Sequence, residues 1–97
     1  MNLGQVYTKP SVAQYMVNLF TLPAEARVLD PCFGQGAFVD ALMTDGRYNV
    51  IGVELDPKSY AANTDKANDR CKLYCGNFFA LGTAEKYDGI VMNPPYV

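Results

Sequence analysis

The chain has 97 residues, 49% of them hydrophobic, and a formal net charge of −2; that is one globular domain's worth, without the clustered Lys and Arg that grip nucleic acid. It contains no histidine, which excludes Ser-His-Asp catalysis, Cys-His catalysis and most zinc sites built from these residues alone. The three cysteines, Cys32, Cys71 and Cys75, form no CxxC pair and are odd in number, so reduced thiols rather than a disulfide framework are expected.

No apolar run is long enough to span a bilayer, and no basic stretch leads into a signal-type apolar core, so a cytoplasmic location and no membrane partner are expected. After an opening loop, "GQVYTKP", the spacing predicts a helix with Val12, Met16, Leu19 and Phe20 on one face and Pro10 in its first turn. Leu22-Pro23 closes it. "RVLDP" reads as a short buried strand, followed by a glycine turn and a helix from about Gly36 to Thr44, with Phe38, Ala41 and Leu42 inward. "YNVIGVE" is a second strand. Asp56 and Pro57 then supply an N-cap and a first-turn proline for a helix to about Asn68, with Ala61, Thr64 and Ala67 along its packed stripe. "CKLYC" and "GIVM" are the third and fourth strands. Strands separated by helical segments predict an α/β fold, a doubly wound parallel sheet with right-handed crossovers.

In such sheets ligands bind beyond the carboxyl ends of the strands, and the unusual residues fall there. The first strand ends in "DPCFGQG", where Gly34 and Gly36 let the backbone pass close to a ligand and Asp30 places a carboxylate at its rim. The second ends in Glu54, the third in "GNFF", the fourth in "NPPY". A glycine turn alone is weak evidence, since tight turns of this kind also occur without a ligand. An acid ending the second strand suits a ribose, because a carboxylate accepts hydrogen bonds from both hydroxyls; a solvated or N-capping acid is the alternative for Glu54 and for Asp56. The turn lacks the third glycine of a dinucleotide fingerprint, and Asp30 is a poor neighbour for phosphate. A ligand with a cationic end and a ribose fits better, and S-adenosyl-L-methionine has both.

These segments, "VLDPCFGQGAF", "VIGVELDP", "YCGNFF" and "DGIVMNPPYV", resemble the ordered motifs of S-adenosylmethionine-dependent N6-adenine DNA methyltransferases. The leading "GQVYTKPSVAQYM" resembles the cofactor-pocket segment that precedes the glycine motif in the gamma group of restriction-modification enzymes. The resemblance implies a Rossmann-like class I methyltransferase fold with strand order 3-2-1-4. It implies that Tyr7 and Thr8 hold the methionine carboxylate, and that Asp30, Pro31, Gly34 and Gly36 face the methionine amine and chain. Glu54 then takes the ribose hydroxyls, Leu55 packs on the adenine, and Asn77 and Phe78 meet its amino group and ring. Asn77 stands where these enzymes usually carry Asp, keeping an acceptor but not the charge. Phe33 and Gln35 are bulkier than the residues the family commonly has there. For Phe78 and Phe79, plain core packing is the alternative.

The resemblance also gives "NPPY" a chemistry. The N6 amine of adenine is a poor nucleophile because its lone pair is delocalised into the ring. The Asn93 side-chain oxygen and the Pro94 carbonyl, held by rigid prolines, accept its two hydrogens and let the nitrogen move toward tetrahedral geometry. Tyr96 stacks on a base flipped out of the duplex. Residues 1–97 then read as the N-terminal, cofactor-binding half of a catalytic domain without its target-recognition domain, with DNA engaged through other parts and with self-association through the unpaired edge of the fourth strand. A cofactor-binding or assembly module without activity is the alternative from another class, and a protein or RNA methyltransferase sharing NPPY is a further one.

Overall fold

The computed structural model describes residues 8–77 and 86–91. The expectations for Tyr7, Phe78, Phe79, Met92, Asn93, Pro94 and Tyr96 lie outside the described residues. In chain order the elements are helix α1 (Pro10–Asn18), strand β1 (Arg27–Asp30), helix α2 (Ala37–Asp45), strand β2 (Asn49–Glu54) and helix α3 (Pro57–Asn63). A 3-10 turn over Thr64–Lys66, strand β3 (Cys71–Cys75) and strand β4 (Gly89–Ile90) follow.

The four strands form one sheet in the order β3-β2-β1-β4, with every pairing parallel, as the alternation of strand and helix predicts. From Val50 to Glu54 every residue of β2 is buried, which is why its sequence is a continuous apolar run rather than an alternation. Alternate side chains go to opposite faces. Val28, Val50, Cys71 and Leu73 join Phe33, Phe38, Val39 and Leu42 in the cluster under the helices, with Tyr60 of α3 packed against it. Leu29, Ile51 and Val53 form a second cluster, against which Tyr87 packs. The fourth strand is shorter than "GIVM", although its ladder continues past Ile90: the Val91 amide donates to the Leu29 carbonyl at 2.9 Å. Among the described residues no strand pairs with the outer edge of β4.

Register positions the strand ends. Asp30 lies beside Gly52, so Glu54 stands two residues beyond the end of β1, with Cys75 as its neighbour on β3. At the usual rise that overhang is roughly 6–7 Å. It carries the Glu54 carboxylate over the turn that follows β1.

Two helices depart from the sequence pattern. In α1 the buried residues are Ala13 and Val17, one turn apart, while Val12, Met16 and Leu19 are exposed; only Phe20 of the expected face packs against the core. A small residue at 13 lets α1 lie close against α2, and the Arg47 guanidinium reaches back to the Val17 and Phe20 carbonyls at 3.5 and 3.3 Å, satisfying the open end of the helix. In α3 the expected stripe Ala61, Thr64 and Ala67 is exposed, whereas Asn63 is buried and Tyr60 half-buried. The α-helix stops at Asn63 instead of running to Asn68 because the backbone there (φ −118°, ψ 1°) tightens into the 3-10 turn. The Asp56 cap is as expected: its carboxylate accepts from the Lys58 amide at 3.2 Å and the Ser59 hydroxyl at 3.0 Å.

Candidate functional site

The site is built where β1 and β2 end. Asp30 is 1% exposed, and its Oδ1 accepts the Cys32 amide at 3.2 Å. Burial raises its pKa to about 7; the Cys32 hydrogen bond opposes the rise and the nearby charge of Glu54 adds to it. At neutral pH this carboxyl is therefore poised between charged and neutral, and a cation brought beside it would favour the charged form. The Cys32 thiol is pushed up as well, by burial first and then by Glu54 and Asp30. Pro31 and Cys32 are half-buried along the rim.

The turn that follows is fixed at several points. Gly34 and Gly36 have φ of +56° and +85°, a region that side-chain-bearing residues enter only at a cost. The two glycines serve different ends. A Cβ on Gly36 would lie 2.7 Å from both Asn63 Oδ1 and Lys66 Nζ, whereas a Cβ on Gly34 would meet nothing within 4 Å. Gly36 is thus needed for packing, and Gly34 borders open space. Phe33, bulkier than the residue the family commonly has there, packs into the core and is 5% exposed. Gly52 makes room for it: a Cβ there would meet Phe33 Cδ2 at 2.9 Å and Leu73 Cδ2 at 2.8 Å. Gln35 is exposed, and its carbonyl accepts from Lys66 at 3.4 Å.

Glu54 joins the two strand ends. It is 3% exposed; Oε1 accepts the Gly34 amide at 2.7 Å and Oε2 the Asp56 amide at 2.8 Å. A carboxylate offers about four acceptor positions, so capacity is left for a ligand's hydroxyls. Leu55, next along, is 66% exposed, an apolar surface at the same end of the sheet. The structure thus brings Asp30, Pro31, Gly34, Gly36, Glu54 and Leu55 to one end of adjoining strands. Asn77 follows β3 and is exposed, and the half-buried Thr8 precedes α1.

The sequence profile of FtsJ-like methyltransferases matches residues 13–95, a span that runs from within α1 through all four strands. The chain belongs to that family. Among curated relatives of the chain, the Type II methyltransferase M.HincII of Haemophilus influenzae is 30% identical over 100% of the chain and 18% of its own length. A ribosomal RNA small subunit methyltransferase H of Dinoroseobacter shibae is 36% identical over 73% of the chain and 23% of its own length. The chain thus spans less than a quarter of either relative. A solved glycopeptide N-methyltransferase, MtfA, superposes with a TM-score of 0.71 at 23% identity, covering 93% of the chain and 41% of MtfA. That last likeness is one of fold, and it agrees with the Rossmann-like sheet.

Two residues of the candidate site escape a reading by strand ends. Asn63 donates to the Gly34 carbonyl at 3.4 Å and to the Ser59 carbonyl at 2.7 Å; Lys66 bonds Asp40 at 3.0 Å beside its contact with Gln35. The available signal for Asn63 is its place on the face of Tyr60 in an otherwise alanine-rich helix.

Proposed function

We propose that the chain forms the S-adenosyl-L-methionine-binding part of an enzyme that methylates the N6 amino group of adenine in DNA, within a restriction-modification system. The observation that carries the reading is the two buried carboxylates, Asp30 and Glu54, at the ends of neighbouring parallel strands, with Glu54 bonded to the turn at Gly34, in a chain that aligns throughout with a Type II methyltransferase. The residues fit this cofactor. A buried carboxyl poised near neutrality suits an ammonium group, Glu54 has acceptor capacity for two ribose hydroxyls, Gly34 borders open space, and the exposed Leu55 suits an adenine face.

When bound, S-adenosyl-L-methionine supplies a methyl group on a sulfonium, which departs as a neutral thioether. The chain's residues bind and orient. Asp30 faces the ammonium beside Pro31, Gly34 and Gly36; Tyr7 and Thr8 hold the carboxylate; Glu54 takes the ribose; Leu55, Asn77 and Phe78 surround the adenine. At the target, Asn93 and the Pro94 carbonyl hold the N6 hydrogens as the nitrogen forms its new bond to carbon, and Tyr96 stacks on the flipped base. One N6 proton is then lost to solvent.

The test is incubation of the complete protein with radiolabelled cofactor and unmethylated DNA, ribosomal RNA or protein acceptors, followed by nuclease digestion. Label recovered as N6-methyladenine in DNA is expected. The identity to a ribosomal RNA methyltransferase favours RNA as the second reading, and label confined to RNA would replace the DNA reading with it. Association of copies through the outer edge of β4 is a separate part of the proposal. Ile90 is 62% exposed there while Val91 is buried, so Ile90→Lys is the edge variant expected to reduce concentration-dependent sedimentation.

A further inference from the structure

The turn between β1 and α2 is held from behind as well as from the strand ends. The Gly34 amide donates to Glu54 Oε1 at 2.7 Å and its carbonyl accepts from Asn63 Nδ2 at 3.4 Å. The next carbonyl, that of Gln35, accepts from Lys66 Nζ at 3.4 Å, and the same ammonium pairs with Asp40 Oδ2 in the first turn of α2 at 3.0 Å. Two successive carbonyls are therefore engaged from the α3 side, while the Gly34 amide that precedes them is held by the acid at the end of β2. Asn63 is 5% exposed, and its Nδ2 is shared between the turn and the Ser59 carbonyl of its own helix. The break of α3 at Asn63 and the 3-10 turn after it are what set both side chains on Gly36, whose missing Cβ leaves room for them.

We propose that Asn63 and Lys66 are positioning residues for the cofactor, acting through the Gly34–Gly36 turn without touching the ligand. The inference rests on the reading of the site as an S-adenosylmethionine pocket. Glycines sample both signs of φ, so an unbraced turn must be ordered when ligand binds, and that cost is subtracted from affinity. Braced by Asn63 and Lys66, the turn is ordered beforehand.

The test measures S-adenosylhomocysteine binding to the full chain by calorimetry, and the Gly34 amide resonance by nitrogen-edited NMR. The variants are Asn63→Leu, Lys66→Met and Lys66→Arg, each at a temperature where circular dichroism shows it folded. Asn63→Leu is expected to weaken binding about tenfold, as for loss of a buried hydrogen-bond donor, and to move the Gly34 resonance in the free protein. Lys66→Met is expected to weaken binding several-fold, with Lys66→Arg restoring it to within about twofold. Equal affinity in all variants with an unmoved Gly34 resonance overturns the proposal, as does a lowered melting temperature with unchanged affinity. If Asn63→Leu does not fold, the Lys66 pair decides alone. Absence of binding by the parent protein would instead overturn the pocket assignment.

Discussion

Glu54 Oε1 and the Gly34 amide, twenty residues apart in the chain, meet at 2.7 Å. The end of β2 and the turn after β1 are therefore one unit, and removing the acid strands two amides, those of Gly34 and Asp56. Glu54→Ala is expected to lower stability by about 1–3 kcal/mol and to weaken cofactor affinity by a similar amount. Urea unfolding and calorimetry check the two effects separately. A variant as stable as the parent would show that neither amide depends on Glu54.

Asp30 makes stability depend on pH in the direction opposite to an ordinary paired carboxylate. Its pKa is raised from 3.8 to about 7 in the folded protein, so the folded state keeps a proton that the unfolded chain releases. The associated stability is complete below 3.8 and lost as pH rises to about 7. Asp30→Asn retains an acceptor for the Cys32 amide and does not titrate. At pH 8 it is expected to be more stable than the parent by roughly 2–4 kcal/mol, with the gap closing toward pH 4. Unfolding curves at the two pH values decide the matter, because a pH-independent gap excludes Asp30 as the titrating group.

Gly34 and Gly36 separate binding from folding. Gly36→Ala drives a methyl group onto Asn63 and Lys66 in addition to the strain of positive φ, and is expected to cost about 2–4 kcal/mol of stability. Gly34→Ala meets no protein atom and bears the backbone strain alone, roughly 1 kcal/mol. Its methyl group enters the space assigned to ligand, so its affinity loss is expected to be out of proportion to its stability loss. Melting curves set beside titrations show whether the two glycines differ in this way.

Phe33 and Gly52 are coupled through space. Gly52→Ala overpacks the core against Phe33 and Leu73 and is expected to destabilise by about 1–3 kcal/mol. Phe33→Leu, itself destabilising through lost volume, should recover part of that loss in the double variant. Additive losses in a double-mutant cycle would mean that the two side chains do not compete for the same space.

Asn93→Ala in the complete enzyme is expected to reduce methyl transfer by about 100-fold or more while cofactor affinity stays within about twofold, because the proposed contact is to the acceptor amine. Single-turnover rates with near-normal turnover would remove Asn93 from the chemistry.

The strands and their ends are legible in the sequence because each signal is local: a short apolar run, then Asp30 or Glu54, then a turn residue; the order of the strands follows only from the family resemblance. The buried face of α1 is not legible. Ala13 and Val17 pack by closeness of approach, and alanine contributes little to a hydrophobic pattern that Val12, Met16 and Leu19 dominate while lying exposed. The braces are illegible for another reason. Asn63 and Lys66 reach residues 29 and 31 positions earlier, and neither residue type announces a long-range contact. The fit of Phe33 into the space left by Gly52 is likewise a pairing between elements, visible only once β1 and β2 are in register.

The unequal burial of the three thiols provides a reporter without any engineering. Cys71 is buried and the half-buried Cys32 is held in its protonated form by burial and by the carboxylates beside it, whereas Cys75 is exposed at the end of β3, directly across the ladder from Glu54. Thiolates are the reactive species, so a maleimide dye supplied at one equivalent at neutral pH will attach at Cys75 first. Its emission then reads out, from one strand away, what happens at the Glu54 carboxylate.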